Sequence, residues 1–234
     1  METLYEVPTL DGNIHTHFVN GNRKMGNGIY HSSFLPGDEP ITLKDDTTLI
    51  DMTGSCVGCC KDCKEFCYAK NYVKLHHNST VIPYAENQVI ATNEPDRFMF
   101  ELQGLFDNGL IPAYRQDVSG EIPTEEFLFE LNKIAQKNPF IQIYLYTKRY
   151  EWIEQLEDKA DNLGITVSIY HNNYNNPCGF HEFIIDDGTD PELESIPHCP
   201  AVDKHGRGTG VTCARCKRCI YAKPGTKTAI YKHK

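Results

Sequence analysis

The clearest hydrophobic pattern in the chain is helical and covers residues 124–137, which read TEEFLFELNKIAQK. Its apolar residues recur every three or four positions, so they share one face of a helix. Thr124 stands where an N-cap is needed, two glutamates follow it, and Asn138-Pro139 ends the pattern. The sequence therefore predicts a helix over Thr124–Lys137.

Three further stretches have helical spacing. Residues 95–107 (PDRFMFELQGLFD) and 151–163 repeat apolar positions at the helical period, and the second stretch stops before Gly164. Residues 65–74 can continue as a helix from the cysteine-rich segment that precedes them.

Short runs of β-branched and aromatic residues predict strands between these helices. The runs are 47–52 (TTLIDM), 110–115, 140–147 (FIQIYLYT), 165–171 (ITVSIYH) and a shorter one at 183–185. From residue 110 onward the order is β-α-β-α-β, which is typical of a parallel sheet with right-handed crossovers. Fewer than eight βα units are present, so we expect an α/β fold with a partial or open (β/α) barrel.

The chain divides by composition into three segments. Residues 1–46 are rich in Gly, Pro, Asn and His and have little period, which predicts an irregular N-terminal segment packed on the core. Residues 47–190 carry the alternating pattern and predict the α/β core. Residues 191–234 are rich in cysteine and in basic residues, which predicts a C-terminal appendage.

Composition adds a class of protein and a location. Of the 234 residues, 40% are hydrophobic and 24% are charged, which is a globular composition. The chain shows no secretory signal at its start and no run near the roughly 20 apolar residues of a membrane span. We therefore expect a cytoplasmic protein without a membrane partner. Ten cysteines in such a compartment favour metal binding over disulfides.

The net charge of −9 is unevenly distributed. Residues 200–234 carry nine basic residues and one acid, so their net charge is +8 and that of residues 1–199 is −17. Such a tail suits contact with nucleic acid, or docking on the acidic body and on thiolates. No aromatic stacking pattern accompanies the charge, which favours docking.

A first cysteine group follows the predicted strand at 47–52. Its five thiols fall within twelve residues and are those of Cys56, Cys59, Cys60, Cys63 and Cys67. Core packing does not require that density, whereas thiolates are soft ligands for iron or zinc. We predict an iron–sulfur cluster at this group, most simply 4Fe–4S, at the C-terminal end of a strand, where α/β folds build their sites.

Two ligand sets for this group are open. Cys56, Cys60 and Cys63 have the C-x3-C-x2-C spacing of radical S-adenosylmethionine enzymes, in which three thiolates leave one iron open for the cofactor. An aromatic residue commonly precedes the last cysteine in those enzymes, whereas this chain has Asp62. Five thiols exceed the four that one four-iron cluster accepts, so a larger or second cluster is the other interpretation.

A second cysteine group lies near the C-terminus and contains Cys199, Cys213, Cys216 and Cys219. Its spacing, C-x13-C-x2-C-x2-C, suits a structural zinc site as well as a ferredoxin-like cluster. Cys178 stands apart in Asn-Pro-Cys-Gly and is interpreted as an incidental thiol.

Candidate catalytic residues follow the predicted strands 110–115 and 140–147. They are Arg115, Asp117, Ser119 and Glu121, in the sequence YRQDVSGE, and Lys148. Residues two apart share a face of an extended chain, so the first four should point together. Arg115 suits binding of a carboxylate or phosphate, and Asp117 and Glu121 suit proton transfer. The alternative is an ion-pair network that orients the loops.

Four motifs taken together resemble one known family. They are Cys63-x3-Cys67-Tyr68-Ala69, YRQDVSGE at 114–121, Tyr146-Thr147-Lys148, and Cys199-Pro200-Ala201 followed by C-x2-C-x2-C. This order resembles the phage gene product 88 family over roughly residues 20–220. The fold of that family looks related to the radical S-adenosylmethionine barrel. The resemblance implies a phage or prophage origin, and it adds Tyr146 as a cofactor-binding residue.

Two departures from the family pattern concern the site. Glu121 stands where an aspartate is expected, and the gap before the last C-x3-C-Tyr-Ala is short. The doubled Cys59-Cys60 leaves the metal ligands open.

Two functions from different classes remain open. The first is an iron–sulfur enzyme that performs redox or S-adenosylmethionine radical chemistry on a small molecule, or exchanges electrons with a redox partner. No Gly-Gly-Glu-like segment follows the first cysteine group, which weakens the S-adenosylmethionine variant. The second is a zinc-stabilised phage protein whose basic C-terminus binds nucleic acid or a host protein without catalysis.

Overall fold

The computed structural model describes residues 5–7, 14–43, 52–65, 67–109, 111–170 and 179–232. The chain forms two compact units, which take up interleaved stretches of the sequence. Unit 1 comprises 1–18, 32–110 and 117–134, and unit 2 comprises 19–31, 111–116 and 135–234. The three consecutive segments expected from composition are a different division of the chain and stay a prediction.

The described residues form short strands near the N-terminus, a run of helices between residues 61 and 108, and mostly longer strands after residue 112. The strands are β1 Tyr5–Val7, β2 Val19–Asn20, β3 Ile29–His31, β4 Pro40–Leu43, β5 Met52–Thr53, β6 Ala113–Gln116, β7 Gln142–Thr147, β8 Leu163–Tyr170, β9 His181–Asp186 and β10 Lys227–Tyr231. The helices are α1 Lys61–Glu65, α2 Tyr68–Leu75, α3 His77–Asn93, α4 Pro95–Asn108, α5 Glu125–Lys137, α6 Tyr150–Glu154 and α7 Cys213–Cys216, with a 3-10 helix at Pro191–Ser195. No helix in these ranges is long and apolar enough to cross a membrane.

Unit 2 is built on a seven-stranded sheet in the order β10-β9-β8-β7-β6-β3-β2. Every neighbouring pair is parallel except β2 with β3, which is antiparallel. The parallel α/β fold predicted from the alternating pattern is confirmed. Within the described residues the sheet is open, because β10 and β2 form its edges and do not pair with each other.

The strand register divides the side chains of this sheet between two faces, since neighbouring residues along a strand alternate. The apolar face carries, among others, Ile143, Leu145, Ile165, Val167 and Ile184, all buried. The polar face carries Arg115, Tyr144, Tyr146, Thr166, His181 and Thr228. A parallel sheet with both faces covered is normally apolar on both. The polar face of this sheet is mixed, because it also carries Phe183, Ile185 and Ile230.

Unit 1 packs helices and a three-stranded sheet, β1-β4-β5, around an aromatic core. Phe34, Phe98 and Phe127 are fully buried, and the ring centroids of Phe98 and Phe127 are 5.1 Å apart in an edge-on arrangement. The ring centroid of Phe34 lies 6.2 Å from that of Phe98 and 5.7 Å from that of Phe127. Edge-to-face packing of this kind stabilises a core beyond the area it buries.

Within the described residues, the predicted strand at 47–52 does not belong to the parallel sheet, and the placement of the first cysteine group at the edge of that sheet stays a prediction. Of the predicted strand at 47–52 only Met52 lies in the described residues, where it begins β5. β5 pairs with β4, antiparallel, in the small sheet of unit 1. The backbone of this two-residue strand forms its hydrogen bonds with β4, which is nearby in the sequence. An apolar run in a sequence does not reveal which strand it pairs with.

The predicted helices over 95–107 and 124–137 are confirmed as α4 and α5. Thr124 caps α5, because its hydroxyl oxygen accepts a hydrogen bond of 3.1 Å from the Phe127 amide. The strands predicted around 110–115, 140–147, 165–171 and 183–185 correspond to β6, β7, β8 and β9, with Leu110 and His171 outside the described residues.

Two helical predictions need correction. Residues 151–163 form only the five-residue α6, because Asp158 adopts a left-handed conformation (φ 47°) and a turn follows. Residues 65–74 contribute to two helices, α1 and α2, and Phe66 between them lies outside the described residues.

The 17-residue α3 was not predicted. It contains Pro83, which normally disfavours a helix interior, and its buried side carries polar Asn87 and Gln88. Asn87 donates to the carbonyl oxygens of His17 and Ser33, at 3.1 Å each, so it joins loops instead of filling an apolar core. Such a helix has no apolar stripe for a periodicity test to detect.

Replacement of Phe98 by alanine should lower the free energy of unfolding by about 3–5 kcal/mol, because it removes the ring that contacts Phe18, Phe34 and Phe127. Phe100→Ala in the same helix is the control: Phe100 is 78% exposed, so its loss should change stability by no more than about 0.5 kcal/mol. Urea unfolding followed by circular dichroism measures both. Equal losses would contradict this description of the core.

Candidate metal centres

The second cysteine group is held on unit 2 by backbone hydrogen bonds. The Cys213 amide donates to the Lys24 carbonyl at 3.0 Å, and the Ala214 amide donates to that of Met25 at 2.9 Å. Thr212 caps the short helix α7, and a Cβ added at Gly26 would lie 3.0 Å from the Thr212 hydroxyl oxygen. These contacts fix the first two cysteines of C-x2-C-x2-C against the turn before β3.

The other two cysteines of this group approach β10 and the polar face. The Cys199 amide donates to the Ala229 carbonyl of β10 at 2.7 Å. Cys219 accepts a hydrogen bond from the Tyr146 hydroxyl. The next residue, Ile220, places its carbonyl oxygen 3.4 Å from where a Cβ on Gly164 would lie. The segment around Cys219 therefore covers the polar face at β7 and β8.

The four thiols of the second cysteine group interact electrostatically. Burial raises the pKa of Cys219 to about 11; the Tyr146 hydrogen bond lowers it, and the Cys199 and Cys213 thiols raise it. Burial likewise raises the pKa of Cys213, to which Cys199 and Cys216 add. Without metal, Cys213 and Cys219 stay protonated near neutral pH, and charging one of them disfavours charging the other.

Two positive charges lie beside these thiols. Arg115 and Lys24 both lower the pKa of Cys213, so they favour its thiolate. The Arg115 guanidinium carbon is 4.4 Å from the centre of the Tyr146 ring, which is a cation–π contact. Burial lowers the pKa of Lys24, and Arg115 lowers it further. The polar face therefore presents cations to a set of potential anions.

This donor set fits a metal–thiolate group in its chemistry. Four thiolates around Zn²⁺ carry two net negative charges, and a four-iron cluster with four cysteine ligands is anionic as well. Two adjacent cations offset such a charge. Across the described ranges, no three His, Cys, Asp or Glu side chains are gathered closely enough to hold a metal ion. Metal sites often assemble only as thiols deprotonate and bind.

The first cysteine group belongs to unit 1. The Cys56 amide donates to the Gly37 carbonyl at 2.8 Å, and a turn through Gly58 (φ 77°) returns the chain so that the Cys59 amide donates to Cys56 at 3.1 Å. Cys63 lies in α1 and Cys67 directly precedes α2. Cys60 is exposed, and the other four thiols are half-buried. All five are therefore accessible on a compact loop.

The loop at 117–121, hereafter the docked loop, is tied to both ends of this first group. Ser55, next to Cys56, accepts a hydrogen bond from the Glu121 amide at 2.9 Å and donates to the Leu35 carbonyl at 2.8 Å. Tyr68, which follows Cys67, donates to the Val118 carbonyl at 2.6 Å. Asp117, Ser119 and Glu121, all buried, therefore lie in the loop that frames the first cysteine group.

The predicted catalytic residues do not form one set on one face. The extended conformation ends at Gln116, because Asp117 is left-handed (φ 59°) and Gly120 follows with φ 86°. Asp117, Ser119 and Glu121 belong to unit 1, whereas Arg115, Tyr146 and Lys148 belong to unit 2. Lys148 is half-buried beyond the end of β7. Arg115 and Tyr146 therefore accompany the second cysteine group.

Sequence reasoning missed Lys24 and Tyr144 as neighbours of the second cysteine group. Lys24 lies in a turn without any periodic pattern, so the sequence carries no signal for it. Tyr144 alternates with Tyr146 in β7, and that alternation of hydroxyl-bearing residues in a buried strand is a detectable signal. Ser55 and Tyr68 were detectable only by their positions beside Cys56 and Cys67.

A family model described as Gene product 88 matches residues 17–222, close to the extent expected from the motifs. No curated protein and no solved structure matches the chain.

Gly120→Ala should be more destabilising than Gly28→Ala. Both glycines have a positive φ, 86° and 89°, so both lose about 1 kcal/mol from backbone strain. At Gly120 a Cβ would also lie 2.5 Å from the Ser55 hydroxyl oxygen and 2.8 Å from the Phe34 Cβ, whereas it meets nothing within 4 Å at Gly28. The extra cost should be about 1–3 kcal/mol. Equal unfolding midpoints in urea would show that the docked loop is not clamped.

Metal-free protein should lose stability as the pH rises from about 9 toward 11. The pKa of Cys219 is about 11 in the folded state, and its ordinary value is 9.0. The unfolded chain therefore releases this proton at lower pH, which stabilises the unfolded state relative to the folded state in that range. Urea unfolding with a chelator at about pH 8 and about pH 10 measures the fall. Cys219→Ser should show a smaller fall, and an equal fall would refute the role of this thiol.

Proposed function

We propose that this chain, which belongs to the phage gene product 88 family, is an iron–sulfur protein that performs redox chemistry on a small molecule. The family places the gene in a phage, and the proposal places the protein in the cytoplasm of the infected cell. Iron–sulfur clusters supply or accept single electrons, and protein side chains tune how readily they do so.

The observation that supports the proposal best is the electrostatic grouping around the second cysteine group. Cys199, Cys213 and Cys219 interact with one another and with the cations of Lys24 and Arg115. Each cation lowers the pKa of Cys213, which opposes the effect of burial and so assists the deprotonation that metal binding needs. The Tyr146 hydroxyl donates to Cys219, and a hydrogen bond to a ligand sulfur raises the reduction potential of a cluster.

The first cysteine group would hold a second metal centre under this proposal. Its five thiols leave the choice of ligands open, and the spacing of Cys56, Cys60 and Cys63 still suits a cluster with one open iron. S-adenosylmethionine belongs to this proposal only as a possible ligand of that iron. Asp117 and Glu121, in the docked loop, would move protons close to it.

A zinc-binding, non-catalytic role is the second candidate. The hydrogen bonds from Cys213 and Ala214 to the turn at Lys24 and Met25 favour it, because a structural zinc ion would complete a clip that is already present. Three basic residues beside these cysteines are exposed and would contact nucleic acid or a host protein: Arg215, Lys217 and Arg218. One contact of the kind predicted for docking of the basic C-terminal segment on acidic groups is present: Lys227 forms an ion pair of 2.8 Å with Glu182.

Anaerobic purification and reconstitution, followed by assays for iron, acid-labile sulfide and zinc, tests the proposal. The wild-type protein should be brown and contain iron and sulfide. The double variant Cys213→Ser/Cys219→Ser should lose about half of both, and so should Cys60→Ser/Cys63→Ser, because each holds one of two centres. Cys178→Ser, outside both groups, is the control and should keep its full content.

Two results would count against the iron–sulfur proposal. Colourless protein with stoichiometric zinc and no sulfide would favour the structural clip. Iron content that survives both double variants would mean that neither cysteine group holds the cluster.

A further inference from the structure

Four side chains on the polar face of unit 2 bury a polar atom that has no hydrogen-bond partner within the described residues. The atoms are the hydroxyl oxygens of Tyr144, Thr166 and Thr228 and the Nε2 of His181. None of these residues is more than 2% exposed. They stand on β7, β8, β10 and β9, which are neighbours in the sheet. These four positions, hereafter the polar band, lie on adjacent strands of one face, and Thr166 and His181 are paired in register.

Packing alone does not explain this band. Valine has the shape of threonine and no hydroxyl, so it would fill Thr166 and Thr228 without a buried polar atom to satisfy. The apolar face of the same strands uses such residues, for example Val167 next to Thr166. Local rules of this kind are broken mainly at functional sites.

The hydrogen bonds around His181 determine which ring nitrogen carries the proton. Its Nδ1 lies 2.7 Å from the Thr226 hydroxyl oxygen, and that hydroxyl donates to the Lys223 carbonyl at 2.6 Å. The Thr226 oxygen is therefore the acceptor, and Nδ1 carries the proton. Nε2 keeps a lone pair, so it accepts a hydrogen bond from a ligand. Burial also lowers the pKa of His181, which keeps the ring neutral.

The opposite end of the band is electropositive. Arg115 on β6 is paired in register with Tyr144 on β7, so both project from the polar face. A guanidinium beside hydroxyl donors suits a carboxylate. A ligand that reaches from Arg115 and Tyr144 on one side to His181 on the other crosses two strand spacings from β7 to β9, about 10 Å.

We infer that the polar face of unit 2 binds a small organic acid that carries a hydroxyl or amino group. Its carboxylate faces Arg115 and Tyr144, its hydroxyl or amino group donates to Nε2 of His181, and the threonine hydroxyls complete the contacts. The site lies beside the second cysteine group, because Cys219 bonds to Tyr146 on the same face. Its role as the substrate site rests on the proposed function, whereas binding itself does not.

Calorimetric titration of the reconstituted full chain with malate, aspartate, lactate, serine and succinate tests the inference. Succinate matches malate except for the hydroxyl group, so malate or aspartate should bind and succinate should bind at least about tenfold more weakly. Thr166→Val should weaken binding about tenfold, because one hydrogen bond is lost. Thermal unfolding without ligand should show a higher Tm for Thr166→Val and Thr228→Val than for wild type.

Thr147→Val is the matched control. Thr147 is equally buried in β7 but lies on the apolar face, and its hydroxyl oxygen accepts a hydrogen bond from the Arg149 amide at 2.9 Å. This variant should lower the Tm and leave the affinity unchanged. If none of the acids binds, or if Thr166→Val binds them as wild type does, the inference is overturned.

The outcome is separable from that of the proposed function. Acid binding by protein that lacks iron and sulfide would keep the ligand site and remove the redox role. Protein with an intact cluster that binds none of the acids would remove the ligand site alone.

Discussion

Six parallel strands form most of the sheet in unit 2; one face is largely apolar, and the other carries buried polar side chains beside Phe183, Ile185 and Ile230. Burial of the other face brings Arg115, Tyr144 and His181 out of water, so its polar groups need partners from elsewhere in the unit. The second cysteine group supplies part of that cover, since Cys219 bonds to Tyr146 and Cys213 is tied to the turn at Lys24. The metal and ligand proposals both follow from this one constraint.

The two cysteine groups differ in what surrounds them. The second lies beside the cations of Lys24 and Arg115, which lower the pKa of Cys213, whereas burial raises the pKa of both Cys213 and Cys219. The first lies on an accessible turn and short helix framed by the docked loop, which Ser55 and Tyr68 hold at its two ends. Lys24 and Arg115 are therefore the charges that would offset an anionic metal centre at the second group.

The sequence was informative where one local rule decided the outcome. A capped, periodic stretch gave α5, and alternation with helices gave the parallel sheet. Prediction from the sequence failed where contacts between residues distant in the sequence determined the structure. Asn87 and Gln88 add polar groups to the buried side of α3, and a left-handed Asp117 ends the extended stretch in which Arg115, Asp117 and Ser119 were expected to share a face. The thiols were predictable from spacing, but their neighbour Lys24 was not, since only the fold brings it to them.

The central claim is that the thiols of the second cysteine group bind iron. An anaerobic crystal structure with anomalous difference maps at the iron and zinc edges tests it most directly. The account predicts iron peaks at bonding distance, about 2.3 Å as for other metal–thiolate bonds, from the sulfurs of Cys199, Cys213, Cys216 and Cys219. A peak at the zinc edge alone at these four sulfurs, or no iron peak at bonding distance from them, would contradict it.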